Sequence, residues 1–323
     1  MRQKIAIIGA GIAGLSAASV LSKTCDVTIY DKSRGVGGRM STRYAGEYEF
    51  DHGAQYFTVQ DAGFRAVIDA AIEQGAVASW VGRALYLKSG QMIEDTGRDR
   101  FVGTPRMNSL PKFLARGQTV KLGQRISRLK RQRDNWQIEL ENGDVDSGFQ
   151  AIICAIPPVQ AQAILPVEFT ELTAVKRAKM QACFALMIGL EKEYDFGWDS
   201  LRLNHLPIAW MALNTQKPGR KLEQTCLVVH ADALWSEQNQ NANLEWVQEQ
   251  LLAIASEICA TDLKTAQHTA LHRWLYASVQ VHPDQNYLLD PRLKIAVCGD
   301  WCAGGRVEEA WKSGNAAALQ ILN

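Results

Sequence analysis

Gly9-Ala10-Gly11-Ile12-Ala13-Gly14 carries three glycines in the spacing G-x-G-x-x-G, a pattern suited to phosphate chemistry. Gly9 permits a tight turn, Gly11 lets the backbone approach a pyrophosphate, and Gly14 lets a helix pack closely on a strand. A helix starting there turns unpaired N–H groups and a partial positive charge toward the phosphates. Asp31 ends the next apolar run, where a carboxylate can hold a ribose diol. The loop Arg34-Gly35-Val36-Gly37-Gly38-Arg39 then adds a guanidinium able to fork onto phosphate oxygens, beside glycines that leave the approach open. An NAD unit usually runs straight into its next helix, so a second glycine loop fits a longer cofactor. Near the other end, Cys298-Gly299-Asp300 closes an apolar run and Gly304-Gly305-Arg306-Val307 opens a helix. Asp300 is placed to accept from ribityl hydroxyls, with the helix start facing the flavin N1–C2 region, where charge accumulates on reduction. The two ends together favour FAD over NAD; the competing reading makes Asp300 a plain helix cap.

The elements that must position these groups are legible as periodicities. Lys4–Gly9 is a short apolar run of the kind buried on both faces, Gly11–Leu21 a helix lying close on a sheet, and Asp26–Asp31 a second strand. A strand–helix–strand unit of about 30 residues requires parallel pairing and a right-handed crossover. A hairpin is expected around Ala45-Gly46 and a helix over Asp61–Gln74. Arg125–Arg133, Trp136–Glu141 and Val145–Ile153 alternate as strands around the turn Asn142-Gly143, and Ala155-Ile156-Pro157-Pro158 ends that sheet. Gln181–Leu190 and Cys226–His230 are further strands, and Leu244, Val247, Leu251, Ile254 and Ile258 make a helical stripe read as core packing. Lys294–Gly299 repeats the first apolar run before a final helix, so the end of the chain returns to the sheet that its beginning started. The fold class is therefore α/β: a discontinuous Rossmann-type FAD-binding domain (1–60, 101–165 and 285–323) and a mixed-sheet substrate domain (61–100 and 166–284).

Charge and cysteine usage exclude other classes. Thirty-five Lys+Arg against 34 Asp+Glu leave a formal charge of +1, no global field for nucleic acid or an anionic membrane. The run Arg125, Arg128, Lys130, Arg131 and Arg133 reads as a solvated hairpin face. Seven scattered cysteines without a C-x-x-C pair read as free thiols in a reducing compartment, and Cys298 and Cys302 lack zinc-site partners, so no metal is expected. No run approaches a membrane span, and the glycine-bearing start reads as structure rather than a signal peptide; the expectation is a cytoplasmic protein.

With Asp51-His52-Gly53-Ala54-Gln55-Tyr56-Phe57, these motifs resemble the FAD-dependent amine oxidase superfamily, and specifically its short bacterial renalase-like branch. The resemblance runs nearly end to end and is loosest from about residue 165 to 265. It implies that Gly9, Gly11, Ala13 and Gly14 cradle the pyrophosphate, with Asp31 on the adenosine ribose and Arg39 near the phosphates. Lys32, Gly38 and Met40 belong to the same cofactor loop. Ile126 offers backbone to the adenine, Ala54 and Gln55 lie along the flavin, and Asp300 and Val307 close the site. FAD is expected to be noncovalent, because no cysteine falls in the family's attachment context.

The resemblance implies oxidation of the 2- and 6-dihydro isomers of NAD(P)H to NAD(P)+, with O2 as acceptor and H2O2 as product. A dihydropyridine nitrogen already pushes hydride outward, so no protein base is required, which agrees with the absence of a Ser/His/Asp or Cys/His arrangement. Tyr56, Trp210, Trp274 and Tyr276 are the candidates for facing a planar substrate; Tyr276 stands where the family's K-W-x-H-type strand has a histidine. His52 and His205 read as structural. The alternatives are a flavin-dependent oxidase of a small amine and, from another class, a flavin-binding protein whose ring never turns over.

Overall fold

The computed structural model describes residues 2–88, 90–97, 99–204, 207–220 and 223–322. His205 lies outside the described residues. The first apolar run forms the strand Lys4–Ile8, paired in parallel with Asp26–Tyr30 on one side and Ala151–Cys154 on the other. Ile295–Cys298 joins in parallel beyond Ala151–Cys154, Thr119–Lys121 adds a parallel edge, and Tyr287–Asp290 closes the opposite edge antiparallel. The two ends of the chain thus meet in one six-stranded sheet whose central strands are buried on both faces, which is why they read as continuous apolar runs.

The first helix, Ile12–Leu21, and the last, Val307–Leu322, cross on this sheet. Gly14 lets the first helix lie close on the first strand and its turn, and Gly314 lets the last helix approach the first. A Cβ on Gly14 would sit 1.9 Å from the Gly9 carbonyl oxygen, and one on Gly314 would sit 1.9 Å from that of Ala13. The Ser16 hydroxyl donates to the Trp311 carbonyl at 2.8 Å across the same contact.

A second, mixed sheet of seven strands runs in the order His268–Val281, Lys179–Leu190, Thr225–Ala231, Ile208–Leu213, Ser200–Arg202, Ala84–Lys88, Gln91–Glu94. Only Ser200–Arg202 with Ala84–Lys88 pairs in parallel. The helix Leu244–Cys259 covers one face, with Val247 and Leu251 fully buried, while Leu244 at its start stays exposed. Asn243 caps that helix by accepting from the N–H groups of Glu245 and Trp246.

The sequence predicts one strand over Val145–Ile153, and the structure divides it. Val145–Phe149 completes the three-stranded hairpin sheet with Ile126–Gln132 and Asn135–Leu140, whereas Ala151–Cys154 enters the parallel sheet. Gly148, at φ +83°, and Gln150 make the break, the latter donating its N–H to the Lys4 carbonyl at 2.8 Å. The basic residues of the hairpin do lie on an exposed face, with Lys130 paired to Glu139 and Arg125 to Glu141.

Both sheets meet at the segment Asp51–Gln55. Asp51 is fully buried and receives Arg220 Nη2 at 2.5 Å, Lys217 Nζ at 3.4 Å, Thr42 Oγ1 at 2.7 Å and the Met107 N–H at 3.0 Å. Burial alone would raise its pKa, but the two cations and these donors outweigh it and hold the carboxyl below the ordinary range. Lys217 is driven down to about 8 by burial, with Asp51 partly offsetting the shift. Asp51→Asn would leave both cations buried against a neutral amide. We expect a loss of about 3–5 kcal/mol in urea unfolding at pH 7.

Candidate active site

A cleft of about 1780 Å³ opens between the two sheets. On the parallel-sheet side its floor is the turn after Lys4–Ile8. Gly9 takes φ +106°, a conformation that L side chains rarely adopt, and its added Cβ would lie 2.5 Å from the Ala155 carbonyl oxygen. Gly11 differs. Its φ of −77° is open to any residue and a Cβ there meets nothing within 4 Å, so packing does not demand a glycine. The space above Gly11 belongs to the cleft, at the N-terminus of the first helix, where N–H donors have no intrahelical partner. Asp31 borders it, accepting from the N–H groups of Ala10 and Ser33, both at 2.7 Å.

Gly9, Gly11, Ala13, Asp31, Lys32, Gly38, Arg39, Met40, Ala54, Ile126, Asp300 and Val307 all line this one cleft, although they come from both ends and the middle of the chain. Gly14 lies beneath it as a packing glycine. Two expectations are corrected. The Gln55 side chain is buried away from the cleft: its Nε2 donates to the Asp51 and Gly53 carbonyls and its Oε1 accepts from Lys217 at 3.2 Å, so its polar atoms are already satisfied. Tyr56 also stands off the cleft. Its hydroxyl accepts from Arg202 at 3.1 Å, and its ring packs between Arg100 and Trp210.

Arg39 lies on the wall, but its guanidinium forks onto Asp300, at 2.8 Å from Nη1, and donates to the Ala277 carbonyl at 3.0 Å. It therefore ties the cofactor loop to the last strand of the parallel sheet and to the long strand His268–Val281. A carboxylate accepts several hydrogen bonds, so Asp300 keeps capacity for a hydroxyl beside Arg39. The Asp300 backbone carbonyl gathers the N–H groups of Ala303, Gly304 and Gly305, which shapes the turn into the last helix.

The opposite wall comes from the seven-stranded sheet. Trp210, Trp274 and Tyr276 line it, and His230 and His272 join them. His272 and Trp274 alternate along one strand and share a face, their rings 4.4 Å apart; the pairing with Lys179–Leu190 is irregular just beyond, around Tyr276. That alternation is visible in the sequence, where His272 would have been found by extending the Trp274–Tyr276 pattern two residues back. Lys217 and Arg220 carry no such local signal.

His52, expected as structural, belongs to the same wall. Its ring stacks on Trp274 at 4.9 Å and meets His272 edge-on at 5.0 Å, while its backbone carbonyl accepts from Trp274 Nε1 at 2.9 Å and His230 Nε2 at 3.1 Å. Burial, then the neighbouring His272 and Arg43, pushes His52 down to about 4; burial does the same for His230. Both are neutral at pH 7.

The comparisons agree with this geometry. The sequence model of an NAD(P)-binding Rossmann-like domain matches residues 7–70, and that of the flavin containing amine oxidoreductases matches residues 74–322. The chain belongs to the flavin containing amine oxidoreductase family. It is a flavin-dependent oxidoreductase, and its cofactor is FAD. Putrescine oxidase bound to putrescine superposes with a TM-score of 0.77 at 13% identity, over 100% of this chain and 99% of that one. Cyclohexylamine oxidase from Brevibacterium oxydans IH-35A gives a TM-score of 0.77 at 13% identity over 99% of each. At such identity the fold is what is shared. A stretch of 59 residues is 42% identical to 4,4'-diapophytoene desaturase of Staphylococcus aureus strain Newman, 18% of this chain and 12% of that protein's length. Among the described residues, no helix is long and apolar enough to cross a membrane, and no cluster of His, Cys, Asp and Glu could hold a metal.

Two outcomes follow from this geometry. Gly11→Val should leave the thermal unfolding of the flavin-free protein nearly unchanged, because its side chain enters empty space, yet strip FAD during desalting, read as the ratio of flavin to protein absorbance. For the histidines, a folded pKa below the unfolded value means that the unfolded state binds more protons between about pH 4 and 6.5. Stability should be full above pH 6.5 and fall as pH drops through that window, each imidazole adding up to about 1.4 kcal/mol per pH unit. Urea midpoints at pH 7, 6 and 5 measure the slope, which His52→Phe should make shallower.

Proposed function

We propose that this protein oxidises the 2- and 6-dihydro isomers of NAD(P)H to NAD(P)+, in the manner of the renalase-like branch. The observation that carries the reading is the state of the carboxylates. Each one lining the cleft already accepts from the protein: Asp31 from two backbone N–H groups, Glu141 from Arg125, Asp232 from the Trp235 N–H, and Asp300 from Arg39. With Asp31 and Asp300 given to cofactor hydroxyls in this reading, no unengaged carboxylate is left to serve an alkylammonium. The wall offers flat aromatic faces instead, and Arg43, exposed at the cleft, has no carboxylate partner among the described residues and suits a substrate phosphate.

In this reading Gly11 and the first helix's N-terminus would hold the FAD pyrophosphate, Asp31 the adenosine ribose and Ile126 the adenine. Ala54 would flank the ring, with Asp300 on the ribityl chain and Val307 at the start of the last helix beside it. Bound FAD supplies the two-electron acceptor for the hydride, and O2 with a proton then takes both electrons to give H2O2. The chain's own work is to stack the dihydropyridine between ring and aromatic wall, to exclude water there, and to place a helix N-terminus where negative charge gathers. No side chain has to remove a proton from the substrate.

The amine reading draws on the full-length fold likeness to putrescine oxidase and cyclohexylamine oxidase. Anaerobic mixing separates the two. We expect flavin absorbance to bleach with 2- or 6-dihydro-NAD(P) and to stay unchanged with putrescine or cyclohexylamine; the reverse pattern overturns the proposal.

A further inference from the structure

The hairpin of Arg43–Ala45 with Tyr48–Phe50 borders the cleft, and the cofactor needs neither of its two exposed residues there. It is seated on the seven-stranded sheet. Phe50 stacks on His268 at 5.7 Å, and a Cβ on Gly189 would come within 2.7 Å of the Tyr48 ring. Arg43 and Tyr44 both line the cleft. Successive residues leave a strand on opposite faces, so both reach one cleft only where the strand stands edge-on in it. Tyr44 is 52% exposed, yet its ring is held in place. Arg106 lies over it at 5.3 Å, itself fixed by Nε on Glu49 at 2.7 Å, and the Tyr44 hydroxyl accepts from Asn108 Nδ2 at 3.3 Å. Arg43 is exposed and has no carboxylate partner among the described residues, and its charge acts on His52 and His272 of the aromatic wall.

We propose that Arg43 and Tyr44 form a subsite for the adenosine diphosphate half of a dinucleotide substrate, Arg43 taking the pyrophosphate and Tyr44 stacking on the adenine. The inference rests on the dihydronicotinamide reading above and extends it from the reacting ring to the rest of the molecule. Order along the cleft matches order along the ligand. The aromatic wall takes the dihydropyridine, Arg43 stands beside that wall, and Tyr44 turns away from it toward Asn108. A guanidinium without a carboxylate is free to fork onto phosphate oxygens. An adenine stacks on an aromatic ring through its π-face, with no demand on its hydrogen-bonding edge. Because Asn108 and Arg106 already fix the Tyr44 ring, little side-chain freedom is lost when a base settles on it. The FAD adenosine, assigned above to Asp31 and Ile126, leaves this platform free. A small amine would reach no part of it and would be repelled by Arg43.

The test compares, in anaerobic stopped flow with the FAD-loaded protein, 6-dihydro-NAD and 6-dihydronicotinamide mononucleotide, which has the same reacting ring and one phosphate but no adenosine. We expect half-saturation about tenfold higher for the mononucleotide, the scale of stacking one base on an aromatic ring. Tyr44→Ala should bring the two substrates to within about twofold of one another, and Tyr44→Phe, which keeps the ring, should retain most of the difference. Arg43→Gln should raise half-saturation about tenfold for both, because both carry phosphate, and flatten its dependence on salt. Equal half-saturation of both substrates in the unaltered protein overturns the proposal while leaving the dihydronicotinamide reading intact, as does a difference that survives Tyr44→Ala or a half-saturation that Arg43→Gln leaves unchanged. Bleaching by amines alone overturns both.

Discussion

The structure depends on one buried charge. Asp51 sits without solvent contact where the cofactor loop meets the seven-stranded sheet, and Lys217 and Arg220 reach it from the connection between Ile208–Leu213 and Thr225–Ala231. An ionised carboxylate in that place is tolerable only with its cations and donors in position. The burial therefore enforces how the two sheets stand to each other. Every later feature of the cleft follows from that registration.

From Asp51 the constraint passes along four residues. His52 is pinned through its carbonyl by Trp274 and His230, and Gly53 presses on the Arg39 carbonyl so closely that a Cβ would lie 1.9 Å away. Ala54 donates to the same carbonyl at 2.8 Å, and Gln55 folds back onto Asp51 and Lys217. Arg39, so placed, joins Asp300 to the long strand. One loop thus couples the dinucleotide turn, the end of the parallel sheet and the aromatic wall. A change at Lys217 acts on the cleft without lining it.

Electrostatics divides the cleft in two. The cofactor side is built of helix starts, glycine turns and carboxylates already engaged with protein donors. The facing wall is aromatic, with imidazoles kept neutral by burial.

Local pattern alone determined the strand–helix–strand unit, the glycine turn, Asp31, and the return of the last strand and helix to the first sheet, because each is a short-range periodicity or a residue with few alternative uses. The pattern Val145–Ile153 misled because alternation does not reveal which sheet a strand joins; Gly148 and Gln150 decided it by turning the chain. Gln55 and Tyr56 sit beside cofactor-loop residues in sequence, yet the buried Lys217 and the partly exposed Arg202 hold their polar atoms off the cleft. The partnership of Asp51 with Lys217 and Arg220, and that of His52 with His272 and Trp274, was decided only by the tertiary structure. Each joins residues more than 160 positions apart, and burial, not any local preference, is what makes them meet.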